Sequence, residues 1–502
     1  MDVLQHIYQW VWGIPTLVMI LLVGLYLSFR TGFCQLRLLP KALRMFFSRL
    51  SSVEKPGEGV SSFRALCTAL AATVGTGNLA GVAGAIAIGG PGAVFWMWLC
   101  GLLGMVIKFA EACLAIHFRT QNAAGEWVGG PMYMIRLGLP KGFWPLASIY
   151  AFFGVIAAFG VGNATQINTV LSAVSDTAAA FGFSLPSWGK LLLGLLLAAL
   201  VGAMLLGGAD RIGRGAELLV PFAAGLYLLL GITVLIARWQ AIPDAFVAIL
   251  QGAFSPQAVT GGVIGAMLTT LRIGVSRGVF TNEAGMGTAS IAHASAIVNH
   301  PVEQGMMGIV EVFLDTIVIC TMTALVILVS GVPIPYGVDT GVQLTSAAFS
   351  AVLGPWVGVV IALALCLFAL ATVLGWGLYG LRCAQFLFGD GVWKPFACLQ
   401  VAMVVVGAVL RADTVWLLAE IINGLMAIPN LIALGALTPC CLSIYKSYLH
   451  GGTYENFHQC QSLRIFPHAD VPSPGRGGKG SRQEDLSPEH RPAGSENAPR
   501  FL

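Results

Sequence analysis

Two short stretches set glycines beside side-chain oxygens within otherwise apolar sequence. The first is Thr73-Val74-Gly75-Thr76-Gly77-Asn78. The second is Arg277-Gly278-Val279-Phe280-Thr281-Asn282-Glu283-Ala284-Gly285-Met286-Gly287-Thr288, which adds a carboxylate. Glycine tolerates backbone angles that other residues resist, so each Gly-x-Gly is a place where a helix can unwind. An unwound helix leaves N–H groups free at the start of one half and C=O groups free at the end of the other. The N–H end carries partial positive charge and can hold a carboxylate. The carbonyls, with Thr and Asn oxygens, form a hard cage for a small cation such as Na⁺. A zwitterion beside a cation would use both ends. Gly-x-Gly near Thr also occurs where membrane helices merely pack closely. Two copies at matching positions, with Asn and Glu at depth, favour a binding site.

Membrane helices must position these stretches. Of 502 residues, 57% are hydrophobic and 10% charged, against roughly 25% charged in a soluble domain. That excludes an ordinary cytosolic enzyme, a coiled coil, a disordered chain and a nucleic-acid binder. Apolar stretches of spanning length fall at about 10–29, 65–88, 92–117, 143–171, 188–206, 216–237, 258–284, 305–330, 355–381, 395–410 and 414–446. These make eleven spans, or twelve if Pro429-Asn430 divides the last. Residues 1–9 lack the basic start of a signal peptide, so the first stretch reads as a true span. The Gly-x-Gly elements begin 210 residues apart, with four helices between them. The second and seventh spans thus head two blocks of five, the second inverted relative to the first. Interrupted helices at corresponding positions of two halves point to an inverted-repeat transporter.

Lys and Arg set the orientation. The loop after the first span carries Arg30, Arg37, Lys41, Arg44, Arg49, Lys55 and Arg64. Alternate later loops carry Arg119, Arg136, Lys141, Arg211, Arg214, Arg382 and Lys394, while the opposite side has only Lys190, Arg238 and Arg411. The N-terminus is therefore expected outside, and eleven spans place the tail in the cytoplasm. Residues 448–502 are rich in Pro, Gly, Ser and charge and are expected to be disordered. The eleven cysteines form no CxxC pair and read as small buried hydrophobes. The four histidines of the body, His6, His117, His293 and His300, show no metal-ligand spacing. A polytopic membrane enzyme is a remote alternative for that reason, and two broken helices suit a central occluded site better than a channel.

The two glycine stretches, with Thr31-Gly32-Phe33, Gly129-Gly130-Pro131-Met132-Tyr133 and Asn423-Gly424-Leu425-Met426-Ala427-Ile428-Pro429-Asn430-Leu431, resemble the alanine/glycine:cation symporter family (sodium:alanine symporters). The resemblance runs from about residue 10 to 447. It implies an all-α, LeuT-type five-plus-five inverted repeat with an extra N-terminal helix. The division would be 1–64 for the extra helix and basic loop, 65–255 and 256–447 for the repeats, and 448–502 for the tail. It further implies symport of alanine or glycine with Na⁺ into the cell across the cell (inner) membrane, without a cofactor. Coupling to H⁺ is the alternative.

By the same resemblance, substrate and Na⁺ sit at breaks spanning 71–79 and 276–288. Substrate contacts would come from Thr73, Gly75, Thr76, Gly77, Asn78, Gln166, Phe280, Thr281, Asn282, Glu283, Gly285, Met286, Gly287 and Trp376. One Na⁺ would lie between the carbonyls of Ala71 and Val74 and, opposite, Ala369 and Thr372. Trp376 is one turn beyond Thr372 and shares its face, where a bulky ring would limit the pocket to small side chains.

Charges at bilayer depth are costly and usually paired or functional. Lys108 and Glu111 are spaced to pair. Glu283 can complement an ammonium or pair with Arg272 or Arg277. Glu311 and Asp315 share a helix face, Glu420 and Asn423 read as structural, and His293 and His300 fall in an inside loop.

Overall fold

The computed structural model describes residues 14–50, 60–262, 267–339, 341–409 and 412–452, with the single positions 4, 6, 7, 11 and 264. The tail from 453 onward, Lys55 and Arg411 lie outside the described residues. Helices follow in the order α1 (Ile14–Thr31), α2 (Cys34–Leu50), α3 (Ser62–Thr73), α4 (Val82–Gly89), α5 (Ala93–His117), α6 (Pro131–Gly138), α7 (Trp144–Phe159), α8 (Thr165–Ala180), α9 (Ser187–Leu205) and α10 (Gly208–Ala237). Then come α11 (Ile242–Phe254), α12 (Pro256–Thr260), α13 (Met267–Asn282), α14 (Thr288–His293), α15 (Pro301–Val312), α16 (Thr321–Val329), α17 (Val342–Leu353), α18 (Val357–Phe388), α19 (Trp393–Val409) and α20 (Ala412–Leu449). A two-stranded hairpin, β1 (Thr120–Gln121) with β2 (Trp127–Val128), pairs Thr120 with Val128 and Gln121 with Trp127.

Eight described helical stretches are long and apolar enough to cross a membrane, and ten if each of two bent pairs counts as one span. The expected seventh span departs from its forecast. It begins at Met267, not 258, and its two halves, α13 and α14, are too short to span separately. The last helix runs unbroken from Ala412 to Leu449, so Pro429-Asn430 does not divide it.

The basic stretch after the first span is a helix rather than a loop. α1 turns through 78° into α2 at Gly32 (φ 63°) and Phe33 (φ 55°), and the Phe33 N–H reaches back to the Ser28 carbonyl at 2.7 Å. Arg37, Lys41, Arg44 and Arg49 lie along α2, which buries Cys34, Leu38 and Ala42; Arg37 and Arg44 fall away from that buried stripe. A helix with one apolar and one basic face suits a membrane surface.

Helices distant in sequence pack together. α5 packs along α15 and α13, α18 along α7 and α10, and α4 against α13. The Gly-Gly-Pro stretch lets α6 start tightly against α14: a Cβ on Gly130 would lie 2.7 Å from Ile291, and one on Gly129 would lie 2.6 Å from Ala294.

Candidate functional site

α3 starts under a Ser61 cap and ends at Thr73, where Val74 turns extended (φ −77°, ψ 102°). In an unbroken helix Gly75 N–H would donate to Ala71 O, and Asn78 N–H to Val74 O. Gly75 N–H instead meets Asn78 Oδ1 at 2.9 Å, and Asn78 N–H meets Gly75 O at 3.3 Å. Asn78 thereby diverts both helical donors from Ala71 and Val74. A π-type turn, Gly77–Gly81, then leads into α4, inclined 52° to α3.

The second break opens after Asn282. Glu283 (φ 52°), Gly285 (φ 89°) and Gly287 (φ 77°) all take left-handed backbone angles. That conformation is free for glycine and costs Glu283 about 1 kcal/mol. Glu283 is buried and its carboxylate is fixed from two sides: Thr288 Oγ1 donates to Oε2 at 2.6 Å and Trp376 Nε1 to Oε1 at 3.1 Å. Of the two arginines expected as partners, Arg272 and Arg277, the second is engaged elsewhere, pairing with Asp339 and Glu420, both at 3.3 Å.

The breaks face one another. A Cβ on Gly77 would touch the Phe280 ring and Thr281 Cγ2 at 3.6 Å. Thr76 Oγ1 donates to Gln166 Oε1 at 3.1 Å. Asn78 Nδ2 donates to Asp315 Oδ1 at 2.7 Å, and Asn282 Nδ2 to Thr316 Oγ1 at 3.2 Å. From α18, Thr372 Oγ1 stands beside Gly75 and the Trp376 indole packs over Gly162. Ala369 and Met286 are fully buried. Thr73 turns its hydroxyl to Ala69 O at 3.3 Å, and Thr281 turns its own to Gly278 O at 2.8 Å. Asn163 instead donates to Gln400 on α19, a bond between helices.

Buried charges form a second layer. Lys108 does not pair with Glu111 but crosses to Glu311 on α15, Nζ to Oε1 at 2.9 Å. The other Glu311 oxygen meets His293 Nε2 at 2.9 Å, and Gln304 Nε2 reaches His293 Nδ1 at 2.6 Å. His293 is therefore no loop residue: it closes α14 and is 1% exposed, which ties the second half-helix to α5 and α15. Ser62 Oγ donates to Gln304 Oε1 at 2.6 Å, bringing the first residue of α3 into the same chain of bonds.

This pairing of broken helices can be compared with known proteins. The sodium:alanine symporter family model matches residues 1–459. The chain belongs to the sodium:alanine symporter family. A sodium/alanine symporter of Methanococcus maripaludis is 42% identical over 454 residues, 89% of this chain and 97% of that one. An uncharacterized transporter of Haemophilus influenzae is 41% identical, covering 92% and 99%. A probable sodium/glutamine symporter of Bacillus subtilis is 36% identical, covering 89% and 91%. The crystal structure of MhsT in complex with L-phenylalanine superposes with a TM-score of 0.54 at 16% identity, over 77% of this chain and 98% of that one. The fold is thus LeuT-type, and the protein is a multi-pass, cation-coupled amino acid symporter of the cell membrane, not an enzyme.

Sequence reasoning flagged Lys108, Glu111, Glu283, Glu311 and Asp315 as charges at depth but mispaired several of them, and it read the buried Arg382 as a loop residue. Intrahelical spacing pointed Lys108 at Glu111, whereas the partner comes from 203 residues away. The part played by Asn430 was missed altogether. Its Nδ2 bonds Glu111 at 2.7 Å and Gly285 O at 2.9 Å. The available signal was a polar amide directly after a proline within an apolar helix.

Proposed function

We propose that the symporter carries alanine or glycine into the cell together with Na⁺, by alternating access of two inverted repeats, 65–255 and 256–447. Its N-terminus lies outside. The observation that carries this reading is the pair of helical carbonyls, Ala71 and Val74, whose ladder donors are both diverted by Asn78. Thr372 Oγ1 stands opposite them at Gly75. Oxygens of this kind, from Ala71, Val74, Ala369 and Thr372, suit Na⁺. The amino acid would lie between the breaks, against Thr73, Gly75 to Asn78, Gln166, Phe280 to Glu283, Gly285 to Gly287 and Trp376. The hydrogen bond from Trp376 to Glu283 holds the indole across that space and favours a small side chain. The names of the Methanococcus and Bacillus relatives support Na⁺ and a neutral amino acid.

The rival coupling ion is H⁺; a 34% identical Bacillus subtilis relative is described as a putative sodium/proton-dependent alanine carrier. Uptake of labelled alanine into proteoliposomes, with Na⁺ and pH gradients imposed separately, tests the proposal. Accumulation should follow the Na⁺ gradient and persist at equal pH on both sides. Uptake driven by a pH gradient in Na⁺-free buffer would overturn it.

A further inference from the structure

The polypeptide from Glu283 to Gly287 leaves the helix while fully enclosed, so each of its N–H groups needs a partner. Three are met locally: Glu283 N–H by Val279 O at 2.8 Å, Met286 N–H by Glu283 O at 3.2 Å, and Ala284 N–H by Asn282 Oδ1 at 2.9 Å. The other two, on Gly285 and Gly287, both point to one atom on another helix. Oε1 of Glu111 receives them at 3.0 and 3.1 Å. The same oxygen takes Asn430 Nδ2 at 2.7 Å, and that amide also donates to Gly285 O at 2.9 Å. The break is therefore clamped over Gly285 to Gly287, from α5 on one side and α20 on the other.

We propose that Glu111 is a positioning residue that holds the second break unwound. By taking the two N–H groups that no local acceptor meets, it also leaves the carboxylate of a bound amino acid to the first break. A charge-assisted acceptor for several N–H groups is strong and geometrically selective. Lys108, one turn away on α5, is committed to Glu311 and does not neutralise Glu111 by direct contact. The N–H groups of Gly285 and Gly287 are its compensation. Substrate entry at the second break is consequently left to side chains, with Glu283 facing the ammonium end. That last step rests on the proposed amino acid substrate; the holding role does not.

Hydrogen–deuterium exchange of the purified full-length protein tests the holding role without any transport measurement. In Glu111→Ala, amides within 283–293 should exchange at least about tenfold faster than in the parent. Adding formate, a small carboxylate able to enter the vacated space, should slow them again. Glu111→Gln keeps an acceptor oxygen, and its amides should stay within about threefold of the parent. The proposal is overturned if Glu111→Ala leaves these amides as protected as in the parent, or if Glu111→Gln exchanges as fast as Glu111→Ala. Should the alanine variant fail to fold, Glu111→Asp, which withdraws the oxygen by one methylene, takes its place: exchange at least about tenfold faster than the parent is expected, and parent-like protection overturns the proposal. Loss of alanine uptake in the parent would defeat the proposed substrate and leave the exchange result standing.

Discussion

Thr372 Oγ1 lies where a side chain on Gly75 would have to be: a Cβ built on that glycine falls 2.7 Å from the hydroxyl. The hydroxyl donates to Phe368 O at 3.0 Å, which leaves its lone pairs turned towards the first break. Two demands converge on this contact, a close approach that only glycine allows and a hydroxyl oxygen held against the first break.

Thr372→Val retains the shape of the side chain and deletes that oxygen. Apparent Na⁺ affinity in alanine uptake should fall about tenfold, the loss of roughly one good polar contact. The order of preference among amino acids should stay the same. An unchanged Na⁺ dependence would remove Thr372 from the cation site.

Gly75→Ala should be worse than its size suggests, because Thr372 is backed by its own helix and cannot retreat. Uptake should drop by more than about tenfold, since overpacking of this kind shifts backbone at the site. Replacing Thr372 with Ala in the same chain should restore protein abundance and melting temperature, yet leave Na⁺ dependence impaired. Restoration of full Na⁺-coupled uptake would show that the contact is only steric.

Trp376 joins α18 to the second break through Glu283 and presses its Cβ and ring against Gly162. Trp376→Ala should admit larger neutral amino acids, read by competition of leucine or methionine against labelled alanine. Trp376→Phe keeps most of the bulk and loses the hydrogen bond, so it should preserve the narrow range with a lower maximal rate. A substrate range unchanged in Trp376→Ala would place the pocket elsewhere.

How far such relationships were legible beforehand depends on their range in sequence. The breaks at Gly75-Thr76-Gly77 and Gly285-Met286-Gly287 were readable, because glycine doublets within apolar runs have a local physical meaning. The bend at Thr31-Gly32-Phe33 was visible as a motif, but the helix that follows it was hidden behind its charges, since α2 is too basic to register as a membrane stretch. Partners were the least legible. Lys108 with Glu311, Glu111 with Gly285 and Gly287, and Asn78 with Asp315 are all joined by packing between distant helices. His293 seemed to lie in a loop only because a break of five residues shortens the helix that it ends.

On the hairpin side, Glu126 of the β1–β2 turn receives Arg382 Nη2 at 2.9 Å. Burial by itself would raise the Glu126 carboxyl, but the Arg382 guanidinium outweighs it and holds the group below the usual carboxylate value of 4.5. A lowered folded value means that this pair stabilises the hairpin fully above the unfolded value and is lost as pH falls through the folded one. Protection of hairpin amides should therefore decline on acidification below about pH 4.5, and Glu126→Gln should make it nearly independent of pH over that range. Because the pair is partly open to solvent, the effect should be confined to local protection, leaving the global melting temperature within about a degree.

Lys108 and Glu311 offer the opposite case, an ion pair with both side chains fully buried. Removing one member strands the other charge in a low-dielectric interior, which costs about 3–5 kcal/mol. Lys108→Met should therefore lower the melting temperature of the detergent-purified protein sharply, with His293 alone left beside Glu311. Glu311→Gln should be similarly harmful, because it strands the ammonium. In Lys108→Met with Glu311→Gln neither charge remains, and melting should recover most of the way to the parent. If the double variant melts as low as the sum of the singles requires, the two residues do not act as a pair. If it melts like the parent yet transports no alanine, the pair serves the transport cycle and not only the fold, since the His293–Gln304–Ser62 chain carries it to the first residue of α3.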